Sequence, residues 1–304
     1  PTIGVGYIFI ANLLASTVKF SLLASQFKGL RWGFDFAVFK QMLRYCLPMV
    51  VIGFAGIINE MLDRALLKHL LPYDNATNMR LLGIYGACYK LSILMTLFIQ
   101  AFRYAAEPFF FAYADKNDAR PIYAQVLKFF VIFCVFIFLL VTLYLDIFQY
   151  FIGAEFRAGL NVVPILLLAN LCLGVYVNLS IWYKLTDRTL MGAWVSLAGA
   201  TLTVVLNWLW IPLYGYEGSA WATLACYASM ALVSYGLGQI YYPVAYPVGR
   251  LLFYIGLGLG LFFAKQAIFV PWPSVLYSSA LILLYLLTVA LFENRQQGRK
   301  KVLK

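Results

Sequence analysis

The sequence predicts an all-α integral membrane protein with about nine transmembrane helices, and three observations lead there. Of its 304 residues 63% are hydrophobic and only 12% charged, and the mean hydropathy is +0.83. A soluble chain is roughly half apolar and about a quarter charged, so too few charges are present to cover a water-facing surface of this size. The apolar residues also form continuous runs of the ~20 residues that a helix needs to cross a bilayer, not the alternation of a barrel strand. A helix satisfies its own backbone in lipid, and an isolated strand does not.

Taken in order, the runs fall at about 5–26, 45–69, 82–109, 122–145, 161–183, 191–212, 218–240, 249–269 and 274–292. Pro48, Pro108, Pro164 and Pro212 stand where a helix is expected to kink or stop. The connections are short, so most neighbours should be antiparallel hairpins, and no aqueous domain is expected. The longest connection, 27–44, interleaves Lys28, Arg31 and Lys40 with Trp32, Phe34, Phe36 and Phe39. That pattern suits an amphipathic helix on an anionic inner leaflet, and equally a plain charged linker. The tail 293–304 is expected to be a disordered basic end held near the headgroups by charge.

Lysine and arginine in the connections set the orientation. One side carries Lys28, Arg31, Lys40, Arg44, Lys116, Arg120, Lys128, Lys184, Arg188 and Arg250, then Arg295, Arg299, Lys300, Lys301 and Lys304 in the tail. The other carries Arg64, Lys68, Arg80, Arg157 and Lys265. Fifteen bases against five place the C-terminus in the cytoplasm. Nine spans then put Pro1 outside. A start in mid-hydrophobe, without methionine or a basic leader, leads us to expect further helices upstream.

Several function classes drop out. The net charge of +11 forms no continuous basic stripe, so nucleic acid is not the expected partner. His69 is the single histidine, which excludes a multi-histidine metal site. The five cysteines, Cys46, Cys88, Cys134, Cys172 and Cys226, lie singly in apolar stretches as small hydrophobes. No GxSxG, HExxH or Walker loop is present, and no long loop could hold a sugar donor, so an enzyme is not expected.

Charge inside a span costs ~2.5–3.5 kcal/mol per residue on insertion scales, so each case calls for a partner or a wet cavity. The densest cluster is Asn59, Glu60, Asp63 and Arg64 on the second span, where i,i+4 spacing puts the polar groups on one broad face. Glu60 lies roughly 15 Å below the outer helix end, and Lys90 on the returning helix roughly 12 Å below its own. A Lys90 pair with Glu60 or Asp63 is therefore expected. The cluster could serve as helix–helix adhesive or line a cavity. Arg103 and Glu107 repeat the i,i+4 spacing near the inner end of the third span, beside Gln100. Asn170, Asn178 and Asn207 read as interhelical hydrogen bonds, and Gly256, Gly258 and Gly260 as a close-packing face.

The segment from Asn207 through Pro212, Gly215, Gly218, Ala220 and Ala222 to Thr223 is a tight hairpin whose second helix opens with small residues. It resembles the corresponding hairpin of the MOP superfamily, in its polysaccharide-exporter and O-antigen flippase branch. Leu43–Pro48, Leu62-Asp63-Arg64, Ala105–Pro108 and Gly153–Phe156 match in order, and together they cover roughly residues 40–240. The resemblance implies the second lobe of a two-lobe, MATE-like transporter plus an extra C-terminal helix pair. Residues 1–26 would be the last helix of a missing N-terminal lobe, and 27–44 a cytoplasmic amphipathic linker. Residues 45–240 would form the six-helix C-terminal lobe, 241–292 the additional pair, and 293–304 the basic cytoplasmic tail. Such proteins flip a polyprenyl-diphosphate-linked oligosaccharide to the outer leaflet by alternating access. Arg64 and Lys90 would then meet the diphosphate, with Asn59 beside them and Arg103 nearer the inner mouth. Glu60, Asp63 and Glu107 would orient these groups or couple transport to H⁺ or Na⁺, with no bound cofactor. Membrane lipids, the missing lobe and a polysaccharide polymerase are the implied partners. The alternatives are a cation-coupled drug exporter of the same superfamily, a membrane-embedded polysaccharide enzyme and a structural subunit.

Overall fold

A computed structural model describes residues 6–27, 33–114, 116, 118–267 and 274–302, with the side chains of Phe27 and 296–302 set aside. Lys28, Arg31, Trp32 and Lys304 lie outside the described residues, as do the side chains of Arg299, Lys300 and Lys301. The elements are α1 (Gly6–Leu23), α2 (Phe36–Leu70), α3 (Asn75–Leu91), α4 (Ile93–Tyr113), α5 (Ala119–Leu143), α6 (Leu145–Phe148) and α7 (Val162–Leu179). They continue as α8 (Ile181–Leu185), α9 (Thr189–Tyr241), α10 (Val248–Ala267) and α11 (Ser274–Val302). Among the described residues no strand occurs, and the chain is an all-α, multi-pass membrane protein. Among the described residues seven helices are long and apolar enough to cross a bilayer, or eight when the bent pair α3–α4 counts as one span.

The chain divides into two compact units, Pro1–Arg44 and Tyr45–Lys304. In the first, α1 is apolar over most of its circumference, with Asn12 and Lys19 as exceptions, and buries none of its residues, so it suits lipid or a neighbouring helix. Asp35 starts α2, its Oδ1 accepting the backbone N–H groups of Ala37 at 2.8 Å and Val38 at 3.2 Å. The expected connection 27–44 therefore gives way to helix from Phe36 onward. The tail differs likewise: α11 remains helical to Val302, where a disordered end was expected.

In the second unit α5 and α7 form the centre. Phe130 of α5 enters a notch at Gly174 of α7, where a Cβ would stand 2.5 Å from its ring. Val135 does the same at Gly258 of α10, also at 2.5 Å. Close approach through small residues is what holds membrane helices together, since lipid offers no hydrophobic gain between them. The expected single span 82–109 is instead broken at Ser92, where α3 and α4 meet at 52°. The buried Ser92 hydroxyl donates to the Tyr89 carbonyl at 2.7 Å and accepts from the Asn170 amide at 3.3 Å. That exchange supplies partners for groups that the bend frees.

At ~1.5 Å per residue a straight helix of 53 residues would extend far beyond a bilayer, and α9 does not run straight. Gly215 (φ +60°, ψ −142°) reverses it. Ser219 Oγ donates to Asn207 Oδ1 at 2.7 Å, and Thr203 Oγ1 meets Cys226 Sγ at 3.0 Å. Residues 12 apart on one straight helix lie ~18 Å apart, so these bonds require two antiparallel arms. Gly218 abuts the Trp210 carbonyl so closely that a Cβ would fall 2.4 Å from the oxygen.

The ends of the bundle sort by charge. At one, Arg120 lies over Tyr242, Arg188 over Tyr241, and Lys184 pairs with Glu107. At the other, Lys265 pairs with Asp146, Asn161 with Glu217, and Arg157 lies over Tyr150. Cation–π and ion-pair contacts of this kind suit the headgroup region, where aromatic and charged side chains gather.

Candidate functional site: a polar cavity among apolar helices

On α2 the buried positions are Ala55, Asn59, Asp63 and Leu67, a stripe at i,i+4 that turns two polar residues into the bundle. Asn59 Oδ1 accepts from Thr203 Oγ1 at 2.8 Å, its Nδ2 reaches Met230 Sδ at 3.7 Å, and its carbonyl receives the Tyr227 hydroxyl at 3.4 Å. It fastens α2 to both arms of α9. Asp63 Oδ2 accepts the Tyr85 hydroxyl at 2.8 Å, and its Oδ1 the Arg64 N–H at 2.7 Å. Arg64 lies over the Tyr89 ring at 4.2 Å.

The expected Lys90 pair is therefore not formed. Tyr85 occupies Asp63, and Lys90, five residues on, points ~140° away around the same helix. It is exposed, as is Glu60, and among the described residues no ion pair includes either. Tyr89, four residues from Tyr85, shares its face and so meets Arg64. Arg103 and Glu107 share a face of α4, but the Glu107 carboxylate goes to Lys184 of α8 at 2.5 Å. Asn170 and Asn207 make the expected interhelical bonds, whereas the buried Asn178 Nδ2 finds no partner.

Asn59, Glu60, Arg103 and Glu107 converge on a cavity of about 550 Å³ bounded by α2, α4, α7, α8 and α9. Gln100, Tyr176, Ser180, Tyr183, Lys184 and Ser196 complete its polar lining. Arg64, Asp63 and Lys90 do not line it. Sequence reasoning missed Lys184, reading it only as an orienting loop charge. The depth comparison applied to Glu60 and Lys90 would have found it, since Glu107 and Lys184 both stand near the inner ends of their helices. Two bases and two acids face the cavity, so its formal charge balances. The arrangement suits binding and passage rather than bond-making. Among the described residues no cluster of three His, Cys, Asp or Glu could hold a metal ion.

A family model described as polysaccharide biosynthesis protein matches residues 2–157, just over half of the chain. The chain belongs to that family. The matched segment contains α1 to α6 and seven polar positions around the cavity and its neighbouring cluster: Asn59, Glu60, Asp63, Arg64, Gln100, Arg103 and Glu107. Lys184 and the α9 hairpin lie beyond it. No curated protein and no solved structure matches the chain. Membership makes this a membrane protein of polysaccharide biosynthesis, and its multi-pass helices fit an inner-membrane location.

Proposed function

We propose that the protein flips a polyprenyl-diphosphate-linked oligosaccharide from the inner to the outer leaflet by alternating access. The observation that carries this reading is a cavity of about 550 Å³ whose mostly apolar wall is set with two bases, two acids and several amide and hydroxyl groups, in a member of a polysaccharide-biosynthesis family. A sugar chain needs hydrogen-bonding walls to cross hydrocarbon, and Gln100, Ser180, Ser196, Tyr176 and Tyr183 supply them. Arg103 and Lys184 are the cationic groups available to a diphosphate in this cavity, and Glu107 holds Lys184 until substrate arrives. Arg64 and Lys90, outside the cavity, are substrate contacts only if the transport cycle turns them toward it. With the two arms of α9 counted separately and α3–α4 as one span, the described residues offer nine segments that could cross a bilayer. That count fits the second lobe and extra helix pair of a two-lobe transporter with a cytoplasmic C-terminus.

The test is complementation by the full-length protein. Replacing Arg103 and Lys184 together with Ala, at normal membrane levels, is expected to abolish surface polysaccharide. Unchanged polysaccharide would remove the cavity from the pathway. The same assay with Arg64 and Lys90 replaced tests those two. The cation-coupled exporter reading draws on Glu60 in the same wall, and it predicts lost drug resistance with intact polysaccharide in Glu60→Gln.

A further inference from the structure

A second concavity, of about 670 Å³, opens between the start of α5, the 242–247 connection, the start of α10 and the far part of α11. It shares no lining residue with the cavity described above. Its charged lining is Arg120, Lys128, Arg250 and Glu293, which leaves two net positive charges. Lys128 is buried and tied to Glu293, which also accepts the Tyr254 hydroxyl at 2.7 Å, so the acid's two oxygens are both engaged. Arg120 is the second residue of α5 and Arg250 the third of α10, both long helices whose N-termini favour an anion. The groove thus combines cationic side chains with two helix starts at one level of the bundle.

That level is the edge of the bilayer. Tyr242 stacks on Tyr123 with ring centroids 6.3 Å apart, and Arg120 lies over the Tyr242 ring at 4.9 Å. Phe129 and the aliphatic parts of Pro121, Pro243 and Pro247 add an apolar wall. Tyrosines at headgroup depth, an apolar wall below and excess positive charge above match the chemistry of a lipid whose phosphate is anionic. We propose that this groove binds the phosphate of an anionic phospholipid headgroup, with Arg120 and Arg250 as its cationic contacts. Lys128, held by Glu293, sets the floor.

The experiment uses the full-length protein purified in a neutral detergent, with lipid retention read by native mass spectrometry. Phosphatidylglycerol is compared with zwitterionic phosphatidylcholine of the same acyl chains. We expect preferential retention of phosphatidylglycerol that falls with ionic strength. Arg120→Gln/Arg250→Gln should weaken it roughly thirtyfold, about fivefold for each cationic group removed. An unchanged melting temperature in the variant shows that the loss is not one of folding. Equal retention of the two lipids, or of phosphatidylglycerol by wild type and variant, overturns the proposal. Displacement of phosphatidylglycerol by inorganic phosphate beyond that caused by chloride at equal ionic strength also overturns the lipid assignment, because a free anion would then be the ligand.

Discussion

Glu107 and Lys184 meet at 2.5 Å between α4 and α8, with the lysine side chain 13% and the carboxylate side chain 36% exposed. A pair this open contributes only about 1 kcal/mol to stability, so its interest is functional. Lys184→Glu is expected to reduce polysaccharide export in the complementation assay, and adding Glu107→Lys to restore it. Failure of the double swap to recover would mean that the lysine's position matters beyond its partner. Asp63 and Tyr85 behave differently because they are buried at 1% and 0% exposure. Tyr85→Phe leaves a buried carboxylate one donor short, a loss of ~1–3 kcal/mol that should appear as a lower melting temperature in detergent. Tyr85→Phe with Asp63→Asn should recover part of it. The sequence showed which α2 residues were polar and how they were spaced. It could not show which neighbour each would meet. That choice depends on the rotation of α3, which a bend at one serine resets.

The two α9 arms rest on a turn that tolerates little change. Gly218→Ala would drive a methyl to within 2.4 Å of the Trp210 backbone oxygen, which no side-chain rotation relieves. Gly215→Ala demands a left-handed backbone from a residue with a Cβ, a strain of ~1–3 kcal/mol. Both should lower the melting temperature, Gly218→Ala more, and slow exchange at Ser219 should be lost. The start of α3 supplies a pH test. The hydrogen bonds that Asp74 accepts from the Thr77 hydroxyl and backbone, and from the Ala76 N–H, hold its carboxyl below the usual 3.8. A lowered carboxylate stabilises the folded state above its unfolded value and loses that contribution as pH falls through the folded one. Protection factors at Ala76 and Thr77, taken relative to the intrinsic exchange rate at each pH, should therefore hold at neutral and mildly acidic pH and fall below about pH 4. Asp74→Asn should flatten that acid-side dependence. At this scale the sequence was read well at the hairpin around Gly215, where glycine acts locally; Pro48, expected to open a helix, instead lies inside α2, and Pro108 inside α4. The sequence was also read poorly at Ser92, where a buried hydroxyl ends a helix inside an apolar run and composition gives no warning.

Across the whole molecule, α10 and α11 look like an appendix by order in the chain but not by packing. Val135 enters the notch at Gly258, the Tyr285 hydroxyl donates to the Ile132 carbonyl at 2.8 Å, and Lys128 of α5 has its carboxylate on α11. Removing residues 242–304 would strand the Lys128 ammonium in an apolar surface. The cost adds to the lost packing and, this close to the headgroups, lies below the ~2.5–3.5 kcal/mol of a charge at the centre of a span. The truncated protein is therefore expected to accumulate poorly in membranes and elute broadly from size-exclusion chromatography. Lys128→Met in the truncated protein should recover part of the level, since it removes the unpaired charge. In the full-length protein the same substitution should lower stability, because Glu293 then loses its cation. Opposite signs in the two backgrounds would identify the pair as the tie between α5 and α11. Equal behaviour would assign the attachment to packing at Gly258 alone.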